Sequence, residues 1–421
     1  VNIVIASQFF YPEIGAPAAR FLDFGRYFTA RGHRVTVLTG MPNFPSGRID
    51  EKYRAKMFVR EVVEGVDVVR SWLFASPRAT VATKAAGYAT FAASSTLSGI
   101  LARLPADVVI ATAPPPTIGA VGLALSRAYR VPLVYDLRDL WPEAVVQSGR
   151  LRPGLGVRAL EALNHRVYAS ASAVTTVSEG KRDRLIEQGV PPDKVHVIPN
   201  GVDIRYFDAA AAEQRPAASA LLASAGVAPE HFVALYAGIM NPPQGLPSVL
   251  DAAEALQAQG RADKLRIVLV GGGSERPKLE RAVADRGLWC VRFLPEQPRA
   301  IVYALLTLAH ATLVPLRPRK DLHTVPSKLF ECLASARPVI LAADGEPSRI
   351  VRDAGAGAAV AAGSGEGIAS ALQSLMEAPE RGHDAGRRGR AYVEARYDRF
   401  ELNRRFLELL TSLTHGGGAG G

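Results

Sequence analysis

Cysteine is nearly absent. The 421 residues contain two, Cys290 and Cys332, both in apolar surroundings. Two such residues give no disulfide framework and suit a reducing compartment, so the cytoplasm is the expected location. Histidine is scarce and scattered, and no Cys or His spacing of a zinc site occurs; His33 and His165 read as hydrogen-bonded core residues rather than ligands. Aromatic residues make up only 7%, and no aromatic-studded basic strand is present, which argues against a nucleic-acid partner. The opening VNIVIASQFF lacks a charged n-region and reads as a buried strand, not a leader. Residues 81–104 have about the length of a membrane span, but they are rich in small residues, Ser and Thr, and make a poor spanning helix. They form either a crossover helix or a helix whose apolar side dips into a membrane interface, flanked by Arg78, Lys84 and Arg103.

What is present describes a globular protein: 48% apolar residues with 21% charged. The length exceeds one ordinary domain and favours two. The net charge of +10 is uneven. Residues 1–205 hold 25 Lys+Arg against 17 Asp+Glu, and residues 206–421 hold 25 against 23. A basic first half points to an anionic partner, such as phospholipid or a lipid diphosphate.

Apolar runs alternate with helical patterns. Residues 2–6, 34–39, 66–71, 107–112, 133–136, 173–178 and 195–199 read as buried parallel strands, with helices such as 18–32 and 158–171 between them. A second series follows at 232–238, 265–271, 290–294, 311–316 and 338–342. Strands alternating with helices predict two doubly wound α/β domains, joined by an irregular connection between 202 and 229. Residues 386–414 read as helix, and HGGGAGG is a flexible tail.

Four segments carry candidate chemistry. In PSKLFECLASARPVI (326–340), Pro326 suits the first position of a helix, which would place Lys328 and Glu331 on one face near its start. Such a helix start with a lysine is an anion site, and a carboxylate one turn on can take hydrogen bonds from sugar hydroxyls. The plainer reading is an exposed charge pair. YPEIGAPAAR (11–20) follows the first strand, with Gly15 allowing a close backbone approach to a ligand. GGGSERPKL (271–279) follows another strand, but Arg276 stands where a dinucleotide loop has its last glycine, so it is a nucleotide cradle or simply a tight turn. YDLRDLWPE (135–143) carries Asp136, Arg138, Asp139 and Glu143, fit for acid–base work or for a structural Asp–Arg pair.

In chain order these segments, with RGHRVTVLTGMPNFPSG (31–47), ATAPPPTIG (111–119) and TTVSEGKRDRLIEQGVPPDKVHVIPNGVD (175–203), resemble the retaining glycosyltransferases of family 4, also called group 1. Nearly the whole chain is covered. The DLRDLWPE and ATAPPPTIG blocks are most similar to bacterial enzymes of surface-polysaccharide synthesis, including fucosamine and N-acetylhexosamine transferases. The resemblance implies a GT-B fold, two Rossmann-like α/β domains facing across a cleft. Residues 1–205 would bind the acceptor and 206–395 the nucleotide-sugar donor. Residues 396–414 would form a helix crossing back to the first domain, ahead of the tail 415–421.

Carried over by motif, Gly15 would approach the donor diphosphate. Lys328 and Ser327 would face that diphosphate and Glu331 the ribose. Arg292, Phe293 and Leu294 would contact the base through their backbone, and the loop of Gly272, Gly273, Ser274 and Glu275 would help close the nucleotide site. Three departures stand out. His323 occupies the place of a glutamate eight positions before Glu331, Arg138 that of a histidine, and GIMNPPQGL (238–246) lacks the usual diphosphate-binding Arg and Lys. Arg317, Arg319 and Lys320 are candidates to supply that charge. The implied reaction uses a nucleoside-diphosphate sugar as co-substrate, with no cofactor and no metal. Lys328 stabilises the leaving group, Asp139 orients the acceptor or stabilises the sugar cation, and Arg138 and Glu143 lie on the acceptor side. A lipid-linked or oligosaccharide acceptor and peripheral contact with the inner membrane face complete the expectation. The rivals are a nucleotide-sugar epimerase of the same fold and a non-catalytic sugar-nucleotide-binding assembly protein.

Overall fold

The computed structural model describes residues 1–13, 16–78, 80–147, 151–318 and 323–415. They form two compact units, one of Val1–Pro199 with the chain from Phe400 onward, the other of Asn200–Arg399. The divisions fall earlier than 205 and later than 395 for a local reason. Val202 and Asp398 form a parallel bridge, with Val202 N–H donating to Tyr397 C=O and Arg399 N–H to Val202 C=O, both at 3.0 Å. Residues 200–205 and 396–399 are therefore tied to each other inside the second unit.

The first unit is built on eight strands: β1 (Asn2–Ala6), β2 (Arg34–Gly40), β3 (Phe58–Val63), β4 (Val66–Ser71), β5 (Val108–Ala113), β6 (Leu133–Leu137), β7 (Ala173–Thr176) and β8 (Val195–Val197). Their order is β3-β4-β2-β1-β5-β6-β7-β8. All pairs are parallel except β3 with β4. Near-continuous apolar runs such as NIVIA suit strands covered on both faces. One face carries the helix Ala16–Thr29, whose Phe21, Phe24 and Phe28 pack with Phe406 and Leu410 of the last helix, Arg399–His415. The other face carries Val81–Ala102, Ile118–Tyr129 and Leu155–Ser170. Strand β3 is absent from the sequence reading. It is a half-exposed edge strand joined to β4 by the two-residue turn Glu64-Gly65, both with positive φ, a turn whose twist suits a hairpin.

The second unit holds β9 (Phe232–Ala237), β10 (Leu265–Val270), β11 (Val291–Leu294), β12 (Ala311–Pro315), β13 (Val339–Ala342) and β14 (Gly357–Val360). Their order is β11-β10-β9-β12-β13-β14, all parallel. The expected irregular connection is instead two helices, Ile204–Glu213 and Arg215–Ser224. Their alanines favour helix, Pro216 sits in a first turn where its missing N–H costs nothing, and Ala210, Ala211, Ala218 and Leu222 are buried. Near the end of the chain two helices, Pro379–Tyr397 and Arg399–His415, replace the single one expected. Among the described residues no helix is long and apolar enough to cross a membrane.

Candidate functional site

In the second sheet the connections leave β9 in one direction and β12 in the other, so the loops after these neighbouring strands flank a topological switch point. Open α/β sheets bind ligands at such crevices. The two loops touch: Arg317 N–H donates to Pro243 C=O at 3.2 Å. Lys328 enters the same place from the helix Lys328–Ala334. Its ammonium donates to the Tyr236 hydroxyl at 2.9 Å and lies 4.1 Å from the centre of that ring. The Tyr236 hydroxyl in turn donates to Ile239 C=O at 2.6 Å. Lys328 is half-buried as a residue, and its ammonium end is the enclosed part. Burial lowers this ammonium to about 8, against the opposing pull of Cys332 and Glu331. Burial also pushes the neighbouring Cys332 thiol up to about 12, which keeps it neutral.

Glu331 is held separately. One carboxylate oxygen accepts from Arg299 at 2.8 Å and from the Tyr303 hydroxyl at 3.3 Å. Lys328 and Glu331 therefore share a face without forming an ion pair, and the exposed-pair reading fails because each has its own partners. The helix also begins later than expected. Pro326 lies two residues upstream, in a tight turn closed by Leu329 N–H on Pro326 C=O at 3.0 Å and Phe330 N–H on Ser327 C=O at 3.2 Å. Ser327 is exposed and makes no side-chain cap bond. His323 is half-buried, five positions before Lys328.

The glycine-rich loop owes its composition to a neighbouring backbone. A Cβ on Gly271, whose φ is +139°, would stand 2.1 Å from Gly238 C=O, and a Cβ on Gly238 would stand 2.6 Å from Lys328 Nζ. Met240 N–H donates to Gly272 C=O at 2.6 Å, and Glu275 N–H to Met240 C=O at 2.9 Å. The loops after β9 and β10 are thus zipped together, with Lys328 against the first of them. Arg276, which breaks the dinucleotide pattern, donates to Gly271 C=O at 2.6 Å and Leu294 C=O at 3.0 Å, fastening the ends of β10 and β11. Gly273 and Ser274 are exposed, while the Glu275 carboxylate takes a hydrogen bond from Lys278 at 3.0 Å.

Strand β11 is the edge next to this loop. Arg292 turns its guanidinium to Ala225 C=O at 2.9 Å, Phe293 is half-buried beneath Arg276, and Leu294 is buried. Arg317 is exposed. Gly15, Arg319 and Lys320 lie outside the described residues. Tyr236, Arg299 and Tyr303 escape sequence reading: Arg299 and Tyr303 share a helix face four residues apart, but nothing in the sequence ties them to Glu331, some thirty positions on.

In the first unit Asp136 is fully buried. It accepts from Thr112 and Thr175, both at 2.9 Å, with Arg20 at 3.7 Å. Its contacts are therefore structural, and Arg20 rather than Arg138 is its ion-pair partner. Burial lowers the Arg138 guanidinium, opposed by Asp136 and Asp139, and its Nε is buried without a hydrogen-bond partner among the described residues. Asp139 is half-exposed and pairs with buried Lys181 at 3.2 Å. Glu143 accepts from Arg184 at 3.1 Å and Gln188 at 3.0 Å, and lines a cavity of about 360 Å³ with Trp141, Asn164 and Tyr168. His165, expected in the core, is exposed at the rim of this cavity, and His33 is half-buried. Among the described residues no group of three or more His, Cys, Asp or Glu side chains is placed to hold a metal ion.

Residues 15–201 match the glycosyl transferase 4-like domain, and residues 221–392 match the glycosyl transferases group 1 family. The chain is 25% identical over 349 residues to a putative colanic acid biosynthesis glycosyl transferase, WcaI, of Escherichia coli, covering 82% of this chain and 84% of that one. It is 29% identical over 302 residues to a D-inositol 3-phosphate glycosyltransferase of Kineococcus radiotolerans, covering 65% of this chain and 66% of that one. Among solved structures, Anabaena HepE in complex with UDP superposes with a TM-score of 0.72 at 20% identity, over 98% of this chain and all of the other. That last likeness is one of fold, two Rossmann-like domains of GT-B type. Two consecutive family matches that together span most of the chain, on a fold shared with GT-B glycosyltransferases, make it a member of the group 1 (family 4) glycosyltransferases.

Proposed function

We propose that this glycosyltransferase moves a sugar, an N-acetylhexosamine or deoxy-aminohexose, from a uridine-diphosphate donor to a lipid-linked or oligosaccharide acceptor of a bacterial surface polysaccharide. The transfer keeps the anomeric configuration and uses no metal ion. The observation that carries this reading is the enclosed Lys328 ammonium at the switch point of the second sheet, beside a loop with no Arg or Lys of its own. The relative in colanic acid synthesis and the UDP bound in the HepE structure support the choice of pathway class and base.

In the proposed reaction the bond between the anomeric carbon and the diphosphate oxygen breaks, and negative charge grows on the leaving oxygen. Lys328 donates a hydrogen bond there, in a site where such a donor is worth far more than in water. The acceptor hydroxyl attacks from the face the diphosphate leaves, and its proton passes to the departing phosphate. Glu331 takes the ribose hydroxyls on the carboxylate oxygen that Arg299 and Tyr303 leave unused. Arg317 is the described candidate for a second cation on the diphosphate. Asp139, steadied by Lys181, orients the acceptor, with Arg138 and Glu143 nearby in sequence.

A thermal-shift panel of UDP, GDP and ADP, with and without magnesium, tests the donor site. A ligand at about 100 times its dissociation constant stabilises by about 2.7 kcal/mol. The expected result is a shift selective for UDP, insensitive to magnesium and lost in Glu331→Ala. No shift with any diphosphate would refute the site. Conversion of the sugar nucleotide without an acceptor would mark an epimerase, and binding without turnover on any lipid-linked acceptor an assembly protein.

A further inference from the structure

The helix Val81–Ala102 anchors itself in the core with Phe91 but turns its leucines and isoleucine at 97–101 outward. The residues it turns to its own unit include Ser94, Ser95 and Ser98, all buried; the Ser98 hydroxyl meets that of Ser71 at 2.7 Å, and Ser94 donates to Trp72 C=O. The opposite face carries Ala89, Ala93, Leu97, Ile100 and Leu101, all exposed, with Leu101 at 67%. These positions follow one helical stripe. Leucine and isoleucine left in water while serines are buried is the reverse of the usual preference, and a row of them forms a surface rather than a stray contact.

Cations bracket that stripe. Arg78 stands just before its start and Arg103 ends the helix, while Lys84, three residues before buried Gly87 and seven before buried Phe91, lies on the other side. Arg60, from the edge strand β3, donates to Ala102 C=O at 3.3 Å, and beside it on the same strand Val62 is 67% exposed. A groove of about 400 Å³ runs between β3 and the helix end, lined by Arg34, Arg60 and Arg103 with Val62 and Asp67. Its carboxylates are already engaged: Asp67 pairs with Arg34 at 3.2 Å, and Glu61 pairs with Arg70 and Lys52. Arg60 and Arg103 have no carboxylate partner among the described residues. From residue 68 to residue 106 the chain contains no Asp or Glu at all.

We infer that this face docks on an anionic phospholipid surface. The stripe of Leu97, Ile100 and Leu101 enters the boundary between headgroups and acyl chains. Arg60 and Arg103 take lipid phosphates in the groove, and Arg78 sits at headgroup level at the other end. Twenty-two residues make a helix about 33 Å long, enough to lie along the interface with cations at both ends. Charge selects this occupant, because an apolar face bordered by Arg60 and Arg103, with the nearby carboxylates of Glu61 and Asp67 already paired, complements a negatively charged bilayer. The inference stands on the first unit alone and does not depend on the donor-site reading.

Vesicle flotation of the full chain tests it, with phosphatidylcholine alone and with phosphatidylcholine plus phosphatidylglycerol. The protein should float with the anionic vesicles only, and added salt should release it. Leu97→Glu combined with Leu101→Glu, and separately Arg60→Glu combined with Arg103→Glu, should each weaken binding by roughly tenfold or more. The residues changed are on the surface, so the melting temperature and the UDP shift should match the parent. Leu155→Glu, at a site that is 83% exposed elsewhere on the unit, should bind as the parent does. Failure of the parent to float, equal binding to neutral vesicles, or undiminished flotation of the double-leucine variant would overturn the proposal. So would a dimer in sedimentation that this variant dissolves, since a second copy would then be the occupant.

Discussion

Lys328 makes donor binding a proton-coupled event. In the free protein burial holds its ammonium at about 8, where an unperturbed lysine titrates near 10.4. A diphosphate alongside would restore the ordinary value, because an adjacent negative charge favours the charged form. Binding must then take up a proton, about half of one near pH 8 and nearly a whole one near pH 9. The sign follows directly: raising the pH through 8 discharges the free protein but not the complex, so affinity falls. With these two values the association constant should drop about tenfold between pH 7 and pH 9 and level off below pH 7. Titration calorimetry with UDP, in two buffers of different ionisation enthalpy, measures both the affinity and the proton count. Lys328→Met keeps the stem without the charge, and any titration of the ligand itself is common to both proteins. The variant should bind more weakly at pH 7, lack the tenfold fall in affinity between pH 7 and pH 9 once the ligand's own titration is subtracted, and turn over roughly 10²–10³-fold more slowly. A parent affinity that does not change over this range, or a variant with the same slope, would refute the assignment of Lys328 to the diphosphate.

Three further outcomes are expected. Gly271→Ala must displace the Gly238 carbonyl and adopt a backbone angle foreign to alanine; it should cost about 3–5 kcal/mol in a urea melt and abolish the UDP shift. Asp136→Ala leaves Arg20 and two threonine hydroxyls without their carboxylate inside the first unit, at a cost of about 3–5 kcal/mol, while the UDP shift should survive in whatever protein remains folded. Asp139→Asn should retain the UDP shift and lower the turnover number roughly 10²-fold, seen in an assay with saturating donor; unchanged turnover would remove Asp139 from the acceptor site.

Much of this architecture is legible in the sequence because buried parallel strands announce themselves as short apolar runs between amphipathic helices. The exceptions have physical causes. FVREVV in β3 carries charges and lies at an edge, so no continuous apolar run marks it. GAAV in β14 is made of small residues with weak strand preference. The alanines of 204–224 could be read as a linker only by ignoring their helix propensity. At the candidate donor site the sequence identifies Lys328 and Glu331, since both fall within one recognisable block. It hides Tyr236, Arg299 and Tyr303, since their role arises from strands and helices far apart in the chain being brought together. It also leaves open why Gly271 and Gly273 are glycines. Their need is set by the backbone after β9, which no local pattern displays.

That backbone zipper has an evolutionary consequence. A side chain on Gly271 would strike the Gly238 carbonyl and one on Gly238 would strike the Lys328 ammonium, so neither glycine can be replaced without moving its neighbour. Diversification of donor choice is therefore channelled away from this zipper, toward surfaces with room to vary. The exposed Ser274 and Arg317 are where lineages of this scaffold should differ, and where a designer seeking a new donor sugar should begin.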